Sequence, residues 1–327
     1  MKVINVKDIS KTYQYYKKQE GIRGSLKNLI HKEILSKEAV RNLSFSIEKG
    51  DMVGFIGMNG AGKTTTLKML SGILKPTSGE VDVLGYNPFD KKNDFLKRIS
   101  MVMGSRSQLW LDIPAIEAFA LNKEIYGIEE KQYKDTLDEL VELLNVGQLI
   151  NTQVRRLSLG ERMKMELILS LLHSPEIIFL DEPTIGLDVV SQNVIRKMLK
   201  AYNQKHNITI ILTSHNLDDI ETVCSKLMII DSGQLMFNGQ LEDFIQKQTS
   251  TKILRIKCSR DPARIKAVMG EHRVEILSED NERMNVKVSK ESVMQLTNIL
   301  MSECMNDIKD ISIEEADMQE IICNLYI

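Results

Sequence analysis

A chain of 327 residues has the length of about two domains, at ~100–200 residues each. It is 43% apolar and 27% charged, enough apolar mass for a sizeable core, and its net charge of −2 offers no basic excess to attract nucleic acid, which is not an expected partner. The longest apolar runs (167–172 and 208–212) are too short to cross a bilayer, residues 1–5 lack an apolar secretory pattern, and Cys224, Cys258, Cys304 and Cys323 show no paired spacing, which argues against a zinc site or a disulfide framework and for a cytosolic, soluble chain.

Residues 3–6 alternate apolar and polar, and so do residues 40–47, which predicts an N-terminal β-ribbon. Between them a basic insertion, 17–38, carries Ile22, Leu26, Leu29 and Ile30 at helical spacing among Lys17, Lys18, Arg23, Lys27 and Lys32. It fits a basic amphipathic helix on a membrane or membrane protein and equally a surface helix packed on its own domain. Tyr13, Tyr15 and Tyr16 precede it, either as half-exposed strand aromatics or with one of them stacked on a base.

An apolar run, 52–56, leads into Gly57-Met58-Asn59-Gly60-Ala61-Gly62-Lys63-Thr64-Thr65 and then a helical pattern. Strand, glycine-rich loop and helix form the context of a phosphate-binding loop. The glycines let successive backbone N–H groups turn inward on phosphate oxygens, and the positive end of the helix adds to that field. Lys63 is placed for the β- and γ-phosphates and the Thr64 hydroxyl for Mg²⁺. A plain glycine turn would not require Lys-Thr at that offset, so the chain is expected to bind a nucleoside triphosphate.

A turn at 75–79 and a strand at 80–84 follow, then a short strand at 99–103. Pro114 opens a helix running to Tyr126, and Leu137, Leu140, Val141 and Leu144 mark the apolar face of another. These define a helical subdomain of about 105–160 inserted into an α/β core. Ser158 and Glu161 in Leu157-Ser158-Leu159-Gly160-Glu161-Arg162 fit a capping box opening a helix that Pro175 ends. A capped N-terminus beside a glycine also suits a γ-phosphate, and the motif alone does not decide between the two.

Residues 177–180 are apolar and run into Asp181-Glu182-Pro183, which reads as a buried parallel strand with acids at its C-terminal, ligand-binding end. Asp181 is placed to hold Mg²⁺ and Glu182 to act as general base on water. Gly186-Leu187-Asp188 forms a tight loop, and a strand at 208–212 ends in Thr213-Ser214-His215. His215 is either a γ-phosphate donor or a structural histidine. Beyond about residue 246, strands at 251–258, 274–277, 284–288 and 308–313, helices from Asp261-Pro262 and at 292–304, and a last short helix predict a small α+β domain.

In this order and spacing, the phosphate loop, the Leu157–Glu161 stretch, the acid strand, Gly186-Leu187-Asp188 and His215 resemble the ATP-binding-cassette (ABC) family. The resemblance implies a phosphate-loop NTPase cassette over 1–245, α/β with a mixed sheet, an antiparallel β-ribbon and the helical subdomain, followed by a C-terminal α+β accessory domain over 246–327. It implies ATP and Mg²⁺ as cofactors, with Glu182, His215 and Lys63 catalytic and Thr64, Asp181 and Gln108 at the metal. Nucleotide-binding positions carried over are Tyr13 on adenine, Gly57, Asn59, Gly60, Ala61, Gly62, Lys63, Thr64, Thr65, Ser158, Gly160, Glu161 and Asp188. Family logic sets Ser158 and Gly160 against ATP on a second copy, so the expected assembly is a homodimer under integral-membrane permease subunits, peripheral on the cytoplasmic face. Two departures stand out: Leu159 and Glu161 alter the usual Leu-Ser-Gly-Gly-Gln, and Gly104 stands where a glutamine is expected, with Gln108 four positions on. Both resemble the exporter-type branch that pairs with a separate permease. An importer ATPase and a soluble cassette ATPase acting in translation or DNA repair are the alternatives; the single cassette and the lack of a heptad run disfavour the latter.

Overall fold

The computed structural model describes residues 1–16, 34–104, 107–248, 251–259, 262–270, 274–280 and 282–315. Most of the 17–38 insertion and the last short helix lie outside them. The chain divides into two compact units, Met1–Leu241 and Glu242–Ile327.

In the first unit, β1 (Lys2–Tyr16) and β2 (Ile34–Glu48) pair antiparallel. Both extend well beyond the alternating segments read from sequence. Register shifts near Ile9 and Lys11, with positive φ at Asp8 and Asn42, switch the side-chain phase, so alternation does not continue even though pairing does. Next come β3 (Met52–Ile56), α1 (Lys63–Leu70) and β4 (Ser78–Val83), which adds to the other edge of β1. A short α2 (Asn93–Leu96) and β5 (Ile99–Met103) precede the helical region.

That region contains α3 (Ala115–Tyr126), α4 (Glu130–Leu144) and α5 (Leu159–Leu171). Pro114 occupies the N-cap of α3, where its missing N–H costs nothing, and Gly127 ends the helix in the left-handed conformation. On α4, Tyr133, Leu137, Leu140 and Leu144 recur every three or four residues and are the buried positions.

The chain then returns to the sheet through β6 (Ile177–Asp181), α6 (Val189–His206), β7 (Thr209–Thr213), α7 (Leu217–Val223), β8 (Lys226–Asp231) and β9 (Gln234–Gln240). The six-stranded sheet has the order β5-β6-β7-β3-β8-β9, all parallel except for β9. Every residue of β3, β6 and β7 is buried, as expected for parallel strands covered on both faces. Edge strand β9 alternates exposed and half-buried instead. The parallel order brings the C-terminal ends of β3, β5, β6 and β7 to one edge, and that edge carries the phosphate loop, Gly104, Asp181 and Thr213.

In the second unit, β10 (Thr251–Cys258), β11 (Glu275–Glu279), β12 (Arg283–Ser289) and β13 (Ile308–Glu315) form an antiparallel sheet ordered β11-β12-β10-β13. With α9 (Ala263–Gly270) and α10 (Val293–Glu303) it encloses its own core around Leu254, Val286, Ile265 and Leu300. Helix α8 (Leu241–Gln248) begins at the boundary between the units.

Phe179 and Leu254 are fully buried in separate cores. Phe179→Ala is expected to cost about 3–5 kcal/mol and Leu254→Ala about 2–5 kcal/mol. Scanning calorimetry should show each substitution lowering a different unfolding transition. A shared, single shift would contradict two independently cored units.

Candidate nucleotide-binding site

The loop between β3 and α1 is shaped by its glycines. Gly62 has φ +109°, and a Cβ there would press on the Ala39 carbonyl oxygen at 2.6 Å. Both facts exclude a side chain. Lys63 at the start of α1 is buried and donates from Nζ to the carbonyl oxygens of Gly57 at 2.5 Å and Met58 at 3.2 Å. Burial pushes its pKa down, opposed by the nearby carboxylates of Glu182 and Asp181. A cavity of about 270 Å³ lies over this loop, lined among others by Tyr13, Asn59, Gly60, Lys63, Thr64 and Glu182. Tyr13 is 39% exposed, leaving its ring accessible for stacking.

Asp181 ends β6 in register with Thr213 of β7. Its Oδ1 accepts from Thr64 Oγ1 at 2.9 Å and from Thr213 Oγ1 at 2.8 Å. Thr213 in turn receives the Glu182 N–H on its hydroxyl at 3.0 Å and on its carbonyl at 3.1 Å. Glu182 has φ +55°, a conformation that costs a non-glycine residue free energy and persists only where neighbours impose it. His215 Nε2 lies 2.6 Å from Glu182 Oε1.

The pairing of a threonine hydroxyl with a carboxylate supplies hard oxygen donors of the kind Mg²⁺ takes. Among the described residues no cluster of three or more His, Cys, Asp or Glu could hold a metal by itself. The Thr64 hydroxyl and the Asp181 carboxylate, 2.9 Å apart, are the donors that fit the ion.

Ser158, Gly160, Glu161 and Asp188 do not line the cavity. Ser158 caps α5: its hydroxyl accepts from Glu161 N at 3.3 Å, and the Glu161 carboxylate accepts from Ser158 N at 2.8 Å. Asp188 caps α6, accepting from Ser191 N at 2.9 Å and Ser191 Oγ at 2.7 Å, bonds that hold its pKa down. Gly160 sits against these two side chains, so a Cβ there would strike Ser191 Oγ.

Gln108 points elsewhere: its amide donates to the Met101 carbonyl at 2.7 Å. No hydrogen bond joins it to Thr64 or Asp181 among the described residues. At Gly104 the N–H donates to the Asp181 carbonyl at 2.8 Å, and a Cβ would run into the backbone carbonyl of Glu182. The position has no room for a side chain.

Two residues at this edge have contacts that sequence reasoning missed. Thr213 ties Asp181 to Glu182, and its position at a strand end beside His215 was the available signal. Glu166, on α5, is buried and accepts through Oε1 from the Ser107 hydroxyl, Gln108 N at 2.8 Å and Leu109 N at 3.2 Å. Among the described residues its Oε2 has no hydrogen-bond partner. Burial raises its pKa above the ordinary carboxylate range, against these bonds and the nearby Arg162 charge. A lone glutamate in a helix reads as surface, so nothing local marked it.

Residues 40–185 match the ABC transporter family. The chain is similar to the ABC transporter ATP-binding protein NatA of Bacillus subtilis (strain 168), at 31% identity over 223 residues, 68% of this chain and 90% of that protein. It is also similar to the bacitracin transport ATP-binding protein BcrA of Bacillus licheniformis, at 36% identity over 201 residues, 62% of this chain and 64% of that one. A solved ATP-binding subunit of an ABC transporter shares the fold with a TM-score of 0.61 at 25% identity, covering 75% of this chain and 92% of the other.

Gly104→Ala is expected to destabilise by about 1–3 kcal/mol through overpacking against the Glu182 carbonyl, read as a lower urea midpoint. For Glu166 the folded-state pKa is raised, so its contribution to stability is full below the unfolded pKa and is lost as pH rises through the folded value. With Glu166→Gln as the non-titrating reference, the stability of the native chain relative to the variant should fall as pH rises above the ordinary glutamate range of about 4. A flat difference with pH would contradict the burial penalty.

Proposed function

The chain belongs to the ABC transporter family as an ATP-hydrolysing subunit, and we propose that it works as a homodimer driving a separate membrane permease, in the direction of export. The observation that carries the chemistry is the placement of Glu182. Its backbone is held by Thr213, its carboxylate is paired with His215, and it borders the cavity lined by Lys63 and Thr64.

In this reading the loop N–H groups and Lys63 bind the β- and γ-phosphates, and Tyr13 stacks on the base. Thr64 and Asp181 would hold Mg²⁺, which would supply positive charge against the phosphates. Glu182 accepts a proton from the water that attacks the γ-phosphorus, the bond to the β–γ bridging oxygen breaks, and ADP and phosphate result. His215 orients the Glu182 carboxylate and supplies a donor to the γ-phosphate.

Ser158 and Gly160 lie away from the cavity of their own chain, which supports a role toward nucleotide on a second copy. Exposed Leu159, Ile185, Val189 and Val190 give that part of the surface an apolar character suited to a partner protein. No helix among the described residues is long and apolar enough to cross a membrane. In this reading a separate permease spans the bilayer and this chain lies peripherally on the cytoplasmic face. BcrA's name assigns it to bacitracin transport, which supports a transport reading here.

Glu182→Gln should reduce hydrolysis at least about 100-fold while ATP binding persists, and the variant should elute as a dimer in ATP. Native chain purified from membranes in detergent should carry a stoichiometric polytopic protein. Recovery with ribosomes or DNA instead would replace the transporter reading with a soluble ATPase.

A further inference from the structure

Outside the nucleotide cavity, one carboxylate is completely buried and shared by three segments of the chain. Asp219, on α7, has no exposed surface. Its Oδ2 accepts the hydroxyl hydrogens of Thr184 at 2.5 Å and Ser214 at 2.6 Å, and its Oδ1 accepts from Arg196 Nε at 2.6 Å. Arg196 is itself buried on α6, and its other nitrogens donate to Asn193 Oδ1 and Gln192 Oε1. Gln192 closes the circuit by donating to the carbonyl oxygens of Thr184 and Leu187.

The segments joined here are those that flank the proposed base and its histidine. Thr184 stands two residues after Glu182, and Ser214 immediately precedes His215. Glu182 is in the left-handed conformation, which needs constraint on both sides. Thr213 supplies it from the strand side. The Thr184 hydroxyl, held by Asp219, supplies it from the other. Because the same oxygen holds Ser214, the spacing between the two turns is set by one atom, and with it the 2.6 Å approach of His215 to Glu182.

We propose that Asp219 is a positioning residue for hydrolysis, fixing the Glu182 turn and the His215 turn at one carboxylate oxygen. The proposal rests on the reading of Glu182 as the general base. It gives Thr184 and Ser214 a role through their hydroxyls rather than their bulk. The turn from Thr184 to Asp188 also carries Gly186, whose Cβ position is 3.3 Å from Leu159 on α5, so the node adjoins the start of the capped helix as well.

Asp219→Asn would leave Arg196 buried beside a neutral group and would endanger folding, so the test removes the hydroxyls instead. Thr184→Val, Thr184→Ser and Ser214→Ala are compared with native chain and with Glu182→Gln in steady-state ATP hydrolysis. Thr184→Val and Ser214→Ala are each expected to lower kcat about tenfold or more, with KM for ATP within about twofold of native. Thr184→Ser, which keeps the hydroxyl, should recover most of the rate. Because both bonds end on one oxygen, the double variant should lose less than the product of the single losses. Native kcat in both single variants would overturn the proposal, as would Thr184→Ser being as slow as Thr184→Val, or losses that appear in KM. If Glu182→Gln hydrolyses ATP at the native rate, the base assignment itself falls, whatever the hydroxyl variants do.

Discussion

Asp181 Oδ1 receives two hydroxyl hydrogens, one from Thr64 at the start of the loop helix and one from Thr213 on the neighbouring strand. Through that oxygen the phosphate loop, β6 and β7 are fastened at one point, at the edge of a sheet whose three central strands are wholly buried. A carboxylate in such a place needs its lone pairs satisfied. The hydroxyls that satisfy it also decide where the loop and the acid strand stand relative to one another. Glu182 inherits its place from this arrangement, since its N–H is held by the same Thr213. A chemically demanding geometry is thus built from short-range bonds among residues that are distant in sequence.

What could be read beforehand was what local rules govern. The strand–loop–helix at Gly57 to Thr65 obeys glycine conformational preferences, and the capping box at Ser158 and Glu161 obeys helix-end physics. The burial of β6 follows from its uninterrupted apolar run. The parallel sheet and the inserted helices followed from the order of such segments. Less legible were features set by tertiary contact. The ribbon strands outrun their alternation because bulges shift its phase. Gln108 could be chosen only by nearness in sequence, and its amide is taken by the Met101 carbonyl. Asp219 and Glu166 look like ordinary helix-surface acids until the fold buries them.

The two units differ in chemistry as much as in topology. The first buries Lys63, Asp181, Thr213 and Ser214 together at one sheet edge. In the second, the core is nearly all aliphatic, and its two described cysteines, Cys258 and Cys304, are buried with thiol pKa values raised chiefly by desolvation. Thiols of that kind are poor nucleophiles. Cys258 and Cys304 are packed in the core of the second unit as small apolar groups.

Gly104 and Glu166 anchor neighbouring stretches of the chain to two different elements. With no space for a side chain at Gly104, the segment leaving β5 is pinned at that point only by its backbone, to the Asp181 carbonyl. Its second pin is Glu166, which grips residues 107–109 from the body of α5. Gly104 is thus attached to the acid strand through a peptide group, and residues 107–109 to the capped helix through the side chain of Glu166.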